Sequence, residues 1–198
     1  MRATRQHAST SEATMNVLII YATIEGQTRK IGDHLKATLE GEGHRVSAID
    51  ATVSQDVPAA DTFDAVIVAA PVHAGTFPST LRRIIKGAAK TLMARPGAFI
   101  SVSLSAISDD PSELDEIGDM VEAFSNETGW WPVSIHHAAG ALKYTEYDFF
   151  RRWMLKRISA KEGGPTDTSR DYEFTAWPKL DAFAIEFVEQ APVLAGKI

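Results

Sequence analysis

The residues best suited to chemistry lie in a short polar loop, Thr23-Ile24-Glu25-Gly26-Gln27-Thr28. Residues 17–21 before it are apolar without alternation, which is typical of a strand buried on both faces of a parallel sheet. After it, Ile31, Leu35 and Leu39 recur at i, i+4 and i+8, which predicts a helix that begins in the loop. A helix N-terminus has unpaired N–H groups and the positive end of the helix dipole. The loop is therefore a candidate anion site.

The same loop has the residue types expected of a phosphate site that needs no lysine. Thr23 and Thr28 supply hydroxyl donors, and Gly26 lets the backbone adopt a positive φ or approach a ligand closely. The nucleotide triphosphate motif Gly-x-x-x-x-Gly-Lys-Ser/Thr is absent from the chain. Taken alone, the loop is equally compatible with an ordinary strand-to-helix turn with a threonine cap.

Two further loops follow predicted strands. Residues 65–70 and 97–102 are apolar runs, followed by Pro71-Val72-His73-Ala74-Gly75 and by Ser103-Leu104-Ser105. In open α/β sheets, ligands bind outside the carboxyl ends of the strands, where the strand order reverses. Three loops of small residues at that edge predict a site for a flat molecule with a phosphate tail.

The remaining patterns complete an α/β domain. Further strands are predicted at 45–50 and 132–138, and further helices at 78–93, 110–128 and 175–190. Residues 51–63 are predicted to form a polar connection that contains a short helix. Five strands alternating with helices indicate a doubly wound parallel sheet. Residues Gly41-Glu42-Gly43 close a helix instead of opening one, so they do not form a dinucleotide fingerprint. A receiver domain is excluded, because Ala22-Thr23 and Ala70-Pro71 stand where it requires acidic residues.

Composition narrows the function further. The 198 residues are 44% hydrophobic, enough for one domain, and the net charge of −6 argues against nucleic-acid binding. With no cysteine, the chain has no disulfide, thiolate or cysteine-bound metal centre, so redox chemistry requires a cofactor. No apolar run approaches the roughly 20 residues of a membrane span. We expect a cytoplasmic protein with a disordered extension at 1–14 and one domain at 15–192.

Several motifs resemble those of known flavoproteins. Residues 23–28 resemble the flavodoxin phosphate loop Ser/Thr-x-Thr-Gly-x-Thr, with Glu25 in place of the middle threonine. Over residues 15–190 the chain is more similar to the bacterial flavodoxin-like protoporphyrinogen oxidases, which use a quinone as electron acceptor. The motifs that support this resemblance are Glu25-Gly26-Gln27-Thr28-Arg29, Gly140-Ala141-Leu142-Lys143-Tyr144, Gly163-Gly164-Pro165-Thr166-Asp167-Thr168 and Phe174-Thr175-Ala176-Trp177.

The resemblance implies a flavodoxin-like sheet of order 2-1-3-4-5 and non-covalently bound FMN. Residues 23–28 would hold the phosphate, while residues 71–75 and 103–105 would flank the isoalloxazine ring. His73 would cover one ring face or be a solvated loop histidine. The implied reaction is oxidation of protoporphyrinogen IX to protoporphyrin IX in heme biosynthesis, with a quinone acceptor. The alternatives are a flavodoxin-type electron carrier, an NAD(P)H:quinone reductase of the same fold, and a binding domain without flavin.

About 35 residues, 139–173, are inserted between the fifth strand and the last helix. Within them, residues 148–162 form a basic amphipathic pattern with three alternative uses. It could lie peripherally on an anionic membrane surface, pack on the body of the domain, or hold the carboxylates of a tetrapyrrole. No side chain stands out as a catalytic acid or base, and Tyr144 and His73 are only weak candidates.

Two other pairs have structural interpretations. His136 and His137 are adjacent on a predicted strand, so their side chains should point to opposite faces and disfavour a shared metal ion. Trp130 and Trp131 precede the same strand and are predicted to belong to the core and its rim.

Overall fold

A computed structural model describes residues 13–54, 56–107, 111–142 and 172–197. Most of the predicted N-terminal extension, the amphipathic segment 148–162, the motif at 163–168 and Tyr144 lie outside these residues.

The domain is built on one five-stranded parallel sheet with the order β2-β1-β3-β4-β5. This confirms the predicted doubly wound architecture and strand order. The strands are β1 (Asn16–Tyr21), β2 (Arg45–Asp50), β3 (Ala65–Pro71), β4 (Gly97–Ser103) and β5 (Ser134–Ala139). The chain adds β2 on one side of β1 and then crosses to β3 on the other, so the strand order reverses between β1 and β3.

In the described part of the chain, four helices cover the two faces of the sheet. They are α1 (Gln27–Gly41), α2 (Ser79–Leu92), α3 (Pro111–Thr128) and α4 (Trp177–Ala195). Buried residues of α1 and α4 pack on one face, and those of α2 and α3 pack on the other. Since both faces are covered, β1 and β3 are buried along nearly their whole length.

Tight glycine contacts fix the layers around the sheet. A Cβ atom on Gly97 would lie 2.6 Å from Cζ2 of Trp130, which is fully buried. One on Gly32 would lie 2.9 Å from Cδ1 of Tyr21, so α1 approaches β1 closely just behind the 23–28 loop. Trp130 thus belongs to the core as predicted, and the neighbouring Trp131 is 47% exposed.

Element ends differ from the sequence prediction in a few places. The short helix in the 51–63 connection is a 3-10 turn, Ala60–Thr62. The last helix begins two residues later than predicted and continues through Pro192 to Ala195. A proline this near a helix end removes only one backbone bond, and the buried Ala191 keeps the last turns packed on the core.

The base of the insertion forms a feature that the sequence patterns did not predict. Two-residue strands β6 (Ala141–Leu142) and β7 (Tyr172–Glu173) pair antiparallel. The Phe174 N–H also donates to the Gly140 carbonyl at 3.1 Å. Residues 140–142 and 172–174 therefore lie side by side next to the end of β5. Among the described helices, none is long and apolar enough to cross a bilayer.

Candidate functional site

A cleft lies at the carboxyl edge of the sheet, beside the point where the strand order reverses. Its walls come from the loops after β1, β3, β4 and β5. The lining residues are Ile24, Glu25, Gln27, Thr28, Pro71, Val72, His73, Val102, Ser103, Leu104, Gly140 and Ala141. All three loops singled out in the sequence therefore contribute to one cleft.

The 23–28 loop presents the start of α1 to this cleft. Gly26 has φ = 92°, in the left-handed region that favours glycine, and its N–H donates to Thr23 Oγ1 at 2.9 Å. The Lys30 N–H donates to the Gly26 carbonyl at 3.1 Å, which is the first bond of the helix. The N–H groups of residues 27–29 precede that bond and have no acceptor within the helix. Thr23 and Gly26 shape the turn and do not line the cleft.

Thr28 contributes a side-chain hydroxyl to the site. The residue is 1% exposed and lines the cleft, and its hydroxyl makes no hydrogen bond with the part of the chain that the structure describes. The hydroxyl oxygen is not among the buried side-chain polar atoms that lack a partner, so it is accessible to a ligand. Together with the preceding amides, it is a donor set suited to an anionic oxygen.

The loop after β3 folds into a tight hairpin. His73 and Thr76 exchange both backbone hydrogen bonds, at 2.9 and 3.1 Å, across Ala74 and Gly75. Both turn residues have positive φ, 50° and 75°. The exposed His73 lines the cleft, whereas the turn residues Ala74 and Gly75 do not.

The loop after β4 is held by its own serine. The Ser103 side chain is 7% exposed, and its Oγ accepts a hydrogen bond from the Ala106 N–H at 3.2 Å. Ser105 begins a 3-10 turn, Ser105–Ile107, and does not line the cleft. The Ser103 carbonyl accepts from the Gly140 N–H at 3.1 Å, which joins this loop to the end of β5.

Three lining residues were absent from the set predicted by sequence. Val102 lies in β4 itself, and its side chain would be 3.5 Å from a Cβ atom on Gly140. Gly140 and Ala141 form the wall after β5. The signal for them was the motif beginning at Gly140, which the resemblance singled out without assigning it a place in the site.

Arg29 and Lys30, the two cations that follow the 23–28 loop in sequence, are already paired. Arg29 Nη2 lies 2.6 Å from Asp50 Oδ2, and Lys30 Nζ lies 3.2 Å from Glu173 Oε2. Among the described residues, the groups left to meet an anion at the start of α1 are therefore peptide N–H groups and the Thr28 hydroxyl, together with the helix dipole.

His136 and His137 point to opposite faces of the sheet, as predicted. The His136 ring stacks on Phe183 of α4 with 4.9 Å between centroids, whereas His137 Nδ1 is 2.6 Å from Ser101 Oγ on β4. Burial lowers the pKa of both imidazoles, and His137 and Lys179 lower that of His136 further. Within the described ranges, no three His, Asp or Glu side chains are arranged to hold a metal ion.

The cleft combines two kinds of surface. Gln27 and Thr28 bring the start of α1 and a hydroxyl to the lining, and Val72, Val102 and Leu104 bring carbon-rich side chains. This arrangement fits a planar group with an anionic tail, and a flavin mononucleotide has that form.

Comparison with known proteins agrees with this geometry. A family model described as "Flavodoxin domain" matches residues 18–169. At 14–15% identity, the chain superimposes on oxidised Flavodoxin 1 from Bacillus cereus with a TM-score of 0.53 over 88% of this chain and 97% of that one. It superimposes on a short-chain flavodoxin associated with a PDU bacterial microcompartment with a TM-score of 0.55, over 90% of this chain and 99% of that one. The chain belongs to the flavodoxin-domain family.

Two curated relatives share a name. The chain is 31% identical over 173 residues to "Protoporphyrinogen IX dehydrogenase [quinone]" of Escherichia coli (strain K12), covering 87% of this chain and 94% of the relative. It is 30% identical over 171 residues to the protein of the same name from Leishmania major, covering 86% of this chain and 73% of the relative. The resemblance to this group that the sequence motifs indicated is confirmed.

Proposed function

We propose that the protein is an FMN-dependent oxidoreductase that oxidises protoporphyrinogen IX to protoporphyrin IX and passes the electrons to a quinone. The relatives named for this reaction match 87% and 86% of the chain. The structural observation that carries the proposal is the start of α1, where the Thr28 hydroxyl and the first amides of the helix line or adjoin the cleft, and the hydroxyl makes no hydrogen bond with the described residues.

The residues of the cleft have distinct tasks in this proposal. The N–H groups of residues 27–29 and the Thr28 hydroxyl would donate to the FMN phosphate. Residues 71–73, with Val102 and Leu104, would pack against the isoalloxazine ring and exclude water from it. His73, whose backbone is held by the hairpin at 73–76, would cover one side of the ring. Bound FMN would supply two-electron redox chemistry between the donor and the quinone.

The contribution of the protein is then binding and orientation. Peptide N–H groups are directional donors, so a phosphate bound by them instead of by lysine or arginine would be oriented as well as attracted. Two bonds hold neighbouring walls of the cleft in register: Gly140 N–H to the Ser103 carbonyl, and Val72 N–H to the Val102 carbonyl at 2.8 Å. A fixed slot sets which ring edge remains open to the donor and the acceptor.

Steady-state turnover distinguishes this function from its rivals. The purified protein, loaded with FMN, is assayed with protoporphyrinogen IX plus a soluble quinone and, separately, with NADPH plus the same quinone. We expect quinone-dependent formation of protoporphyrin IX and slow turnover with NADPH. Fast turnover with NADPH alone would identify an NAD(P)H:quinone reductase. Tight FMN binding with no turnover of either donor would identify an electron carrier, and a protein that does not take up FMN would overturn the proposal.

A further inference from the structure

Thr175 lies between β7 and α4, far in sequence from the 23–28 loop, yet its hydroxyl joins two parts of the cleft wall. Thr175 Oγ1 accepts a hydrogen bond from Gln27 Nε2 at 2.9 Å. The same hydroxyl donates to the Ala139 carbonyl at 2.8 Å. One side chain therefore connects the first residue of α1 to the last residue of β5.

Both partners adjoin the cleft. The Gln27 side chain lines it, and Ala139 immediately precedes the lining residues Gly140 and Ala141. Gly140 is held from two sides, since its N–H donates to Ser103 and its carbonyl accepts from the Phe174 N–H. Thr175 is the next residue after Phe174, so its hydroxyl fixes the chain that in turn holds Gly140.

The chemistry of this junction requires a hydroxyl. Gln27 offers an N–H donor and Ala139 a carbonyl acceptor, so the group between them must accept one hydrogen bond and donate another. Serine keeps both functions. Valine keeps the branched shape of threonine but has neither, and would leave the amide of Gln27 and the carbonyl of Ala139 without this partner.

We propose that Thr175 is a positioning residue for the cofactor site, holding the Gln27 side chain and the 139–141 wall at the spacing that FMN binding requires. This inference rests on the proposed function. In this account, the segment that returns from the insertion completes the site built by the first βα turn, which explains why the Phe174-Thr175-Ala176-Trp177 motif accompanies the phosphate loop.

The test compares Thr175→Val with Thr175→Ser and with a matched control, Thr38→Val. Thr38 also lies on α1 and its hydroxyl donates to Asp181 of α4 at 2.9 Å, but it is not a lining residue of the cleft. For each protein we would measure the FMN dissociation constant by quenching of flavin fluorescence, and the melting temperature of the FMN-free form. Thr175→Val should raise the FMN dissociation constant about tenfold, as expected for a net loss of about one to two hydrogen bonds.

The other variants separate positioning from general stability. Thr175→Ser should bind FMN within about twofold of the parent, because it keeps both hydrogen bonds. Thr38→Val should lower the melting temperature while its FMN dissociation constant stays within about twofold of the parent value. Gln27→Met completes a double-mutant cycle with Thr175→Val. The loss of FMN-binding free energy in the double variant should be smaller than the sum of the two single losses, because both substitutions remove the same hydrogen bond.

Four results would overturn the proposed role of Thr175. Parent-like FMN binding by Thr175→Val, or an equal loss in Thr38→Val, would overturn the inference and leave the proposed function standing. If Thr175→Val does not fold, parent-like FMN binding by Gln27→Met would overturn it. A parent protein that fails to bind FMN would overturn the proposed function and this inference together.

Discussion

Arg29 and Asp50 form an ion pair across the first turn of α1, with 2.6 Å between Nη2 and Oδ2. The Asp50 side chain is 9% exposed, and its other oxygen accepts a hydrogen bond from the Thr52 N–H at 2.9 Å. The arginine that ends the Glu25-Gly26-Gln27-Thr28-Arg29 motif is thus engaged with the end of β2. Its role is to brace α1 against the sheet.

We therefore predict that Arg29→Gln changes the FMN dissociation constant by less than about threefold, since an ion pair with a half-exposed member contributes about 1 kcal/mol or less. Binding of FMN should also vary little with added sodium chloride, because amide donors close to the phosphate are screened less than separated charges. Fluorescence titration at low and high salt measures both. A loss of a hundredfold or more on Arg29→Gln would instead indicate that the guanidinium contacts the phosphate.

Replacing the hydroxyl of Thr28 should separate cofactor binding from folding. Thr28→Val keeps the shape of the side chain and removes a hydroxyl that makes no hydrogen bond with the described residues, so the FMN-free protein should melt at about the same temperature. The FMN dissociation constant should rise about tenfold, for the loss of a hydrogen bond to a charged group. Thr28→Ser is the matched control and should bind FMN almost as the parent does. A Thr28→Val protein with unchanged affinity would remove Thr28 from the phosphate site.

Two glycines should respond in opposite ways to alanine. Gly97→Ala places a methyl group 2.6 Å from Cζ2 of the buried Trp130, and this overpacking should lower the free energy of unfolding by about 1–3 kcal/mol. Gly87 lies in α2 with open space around its Cα, so Gly87→Ala should raise the free energy of unfolding by about 0.5–1 kcal/mol. Urea unfolding of the FMN-free protein measures both. Equal effects of the two substitutions would contradict the packing described for Gly97.

Mild acid should destabilise the fold through β5. Because burial lowers the pKa of His136 and His137, the folded protein binds fewer protons than the unfolded chain just below pH 6.5. The free energy of unfolding therefore decreases as the pH falls through 6.5. His136→Phe retains a ring against Phe183 and removes one proton site, so its melting temperature should depend less steeply on pH between about 7.5 and 5.5. A pH dependence identical to that of the parent would show that His136 does not contribute.

The sheet could be predicted because each of its central strands has a recognisable pattern in the local sequence. Residues 17–21 and 65–70 are apolar and β-branched, and the helices after them show the period of an amphipathic face. These signals determine the element order, and parallel α/β rules then bring the three loops to one edge. The loops do meet in one cleft, with Thr28 and His73 among its lining residues.

The features that the sequence did not predict depend on contacts between residues distant in sequence. The two strands β6 and β7 have only two residues each, too few for a period, and their pairing joins residues 30 and 32 positions apart. The hydroxyl of Thr175 meets Gln27 across 148 positions. At Ala74 and Gly75 the direction of the hairpin turn decides which residues face the cleft, and composition alone does not encode that direction.

The most direct test of the central claim is anaerobic mixing of the FMN-loaded protein with protoporphyrinogen IX while the absorbance of the bound flavin is followed. We predict loss of the oxidised flavin absorbance on mixing, and its recovery together with formation of protoporphyrin IX when a quinone is added in excess, because the full oxidation removes more electrons than one FMN accepts. Oxidised flavin that persists with protoporphyrinogen IX but is reduced rapidly by NADPH would contradict the account.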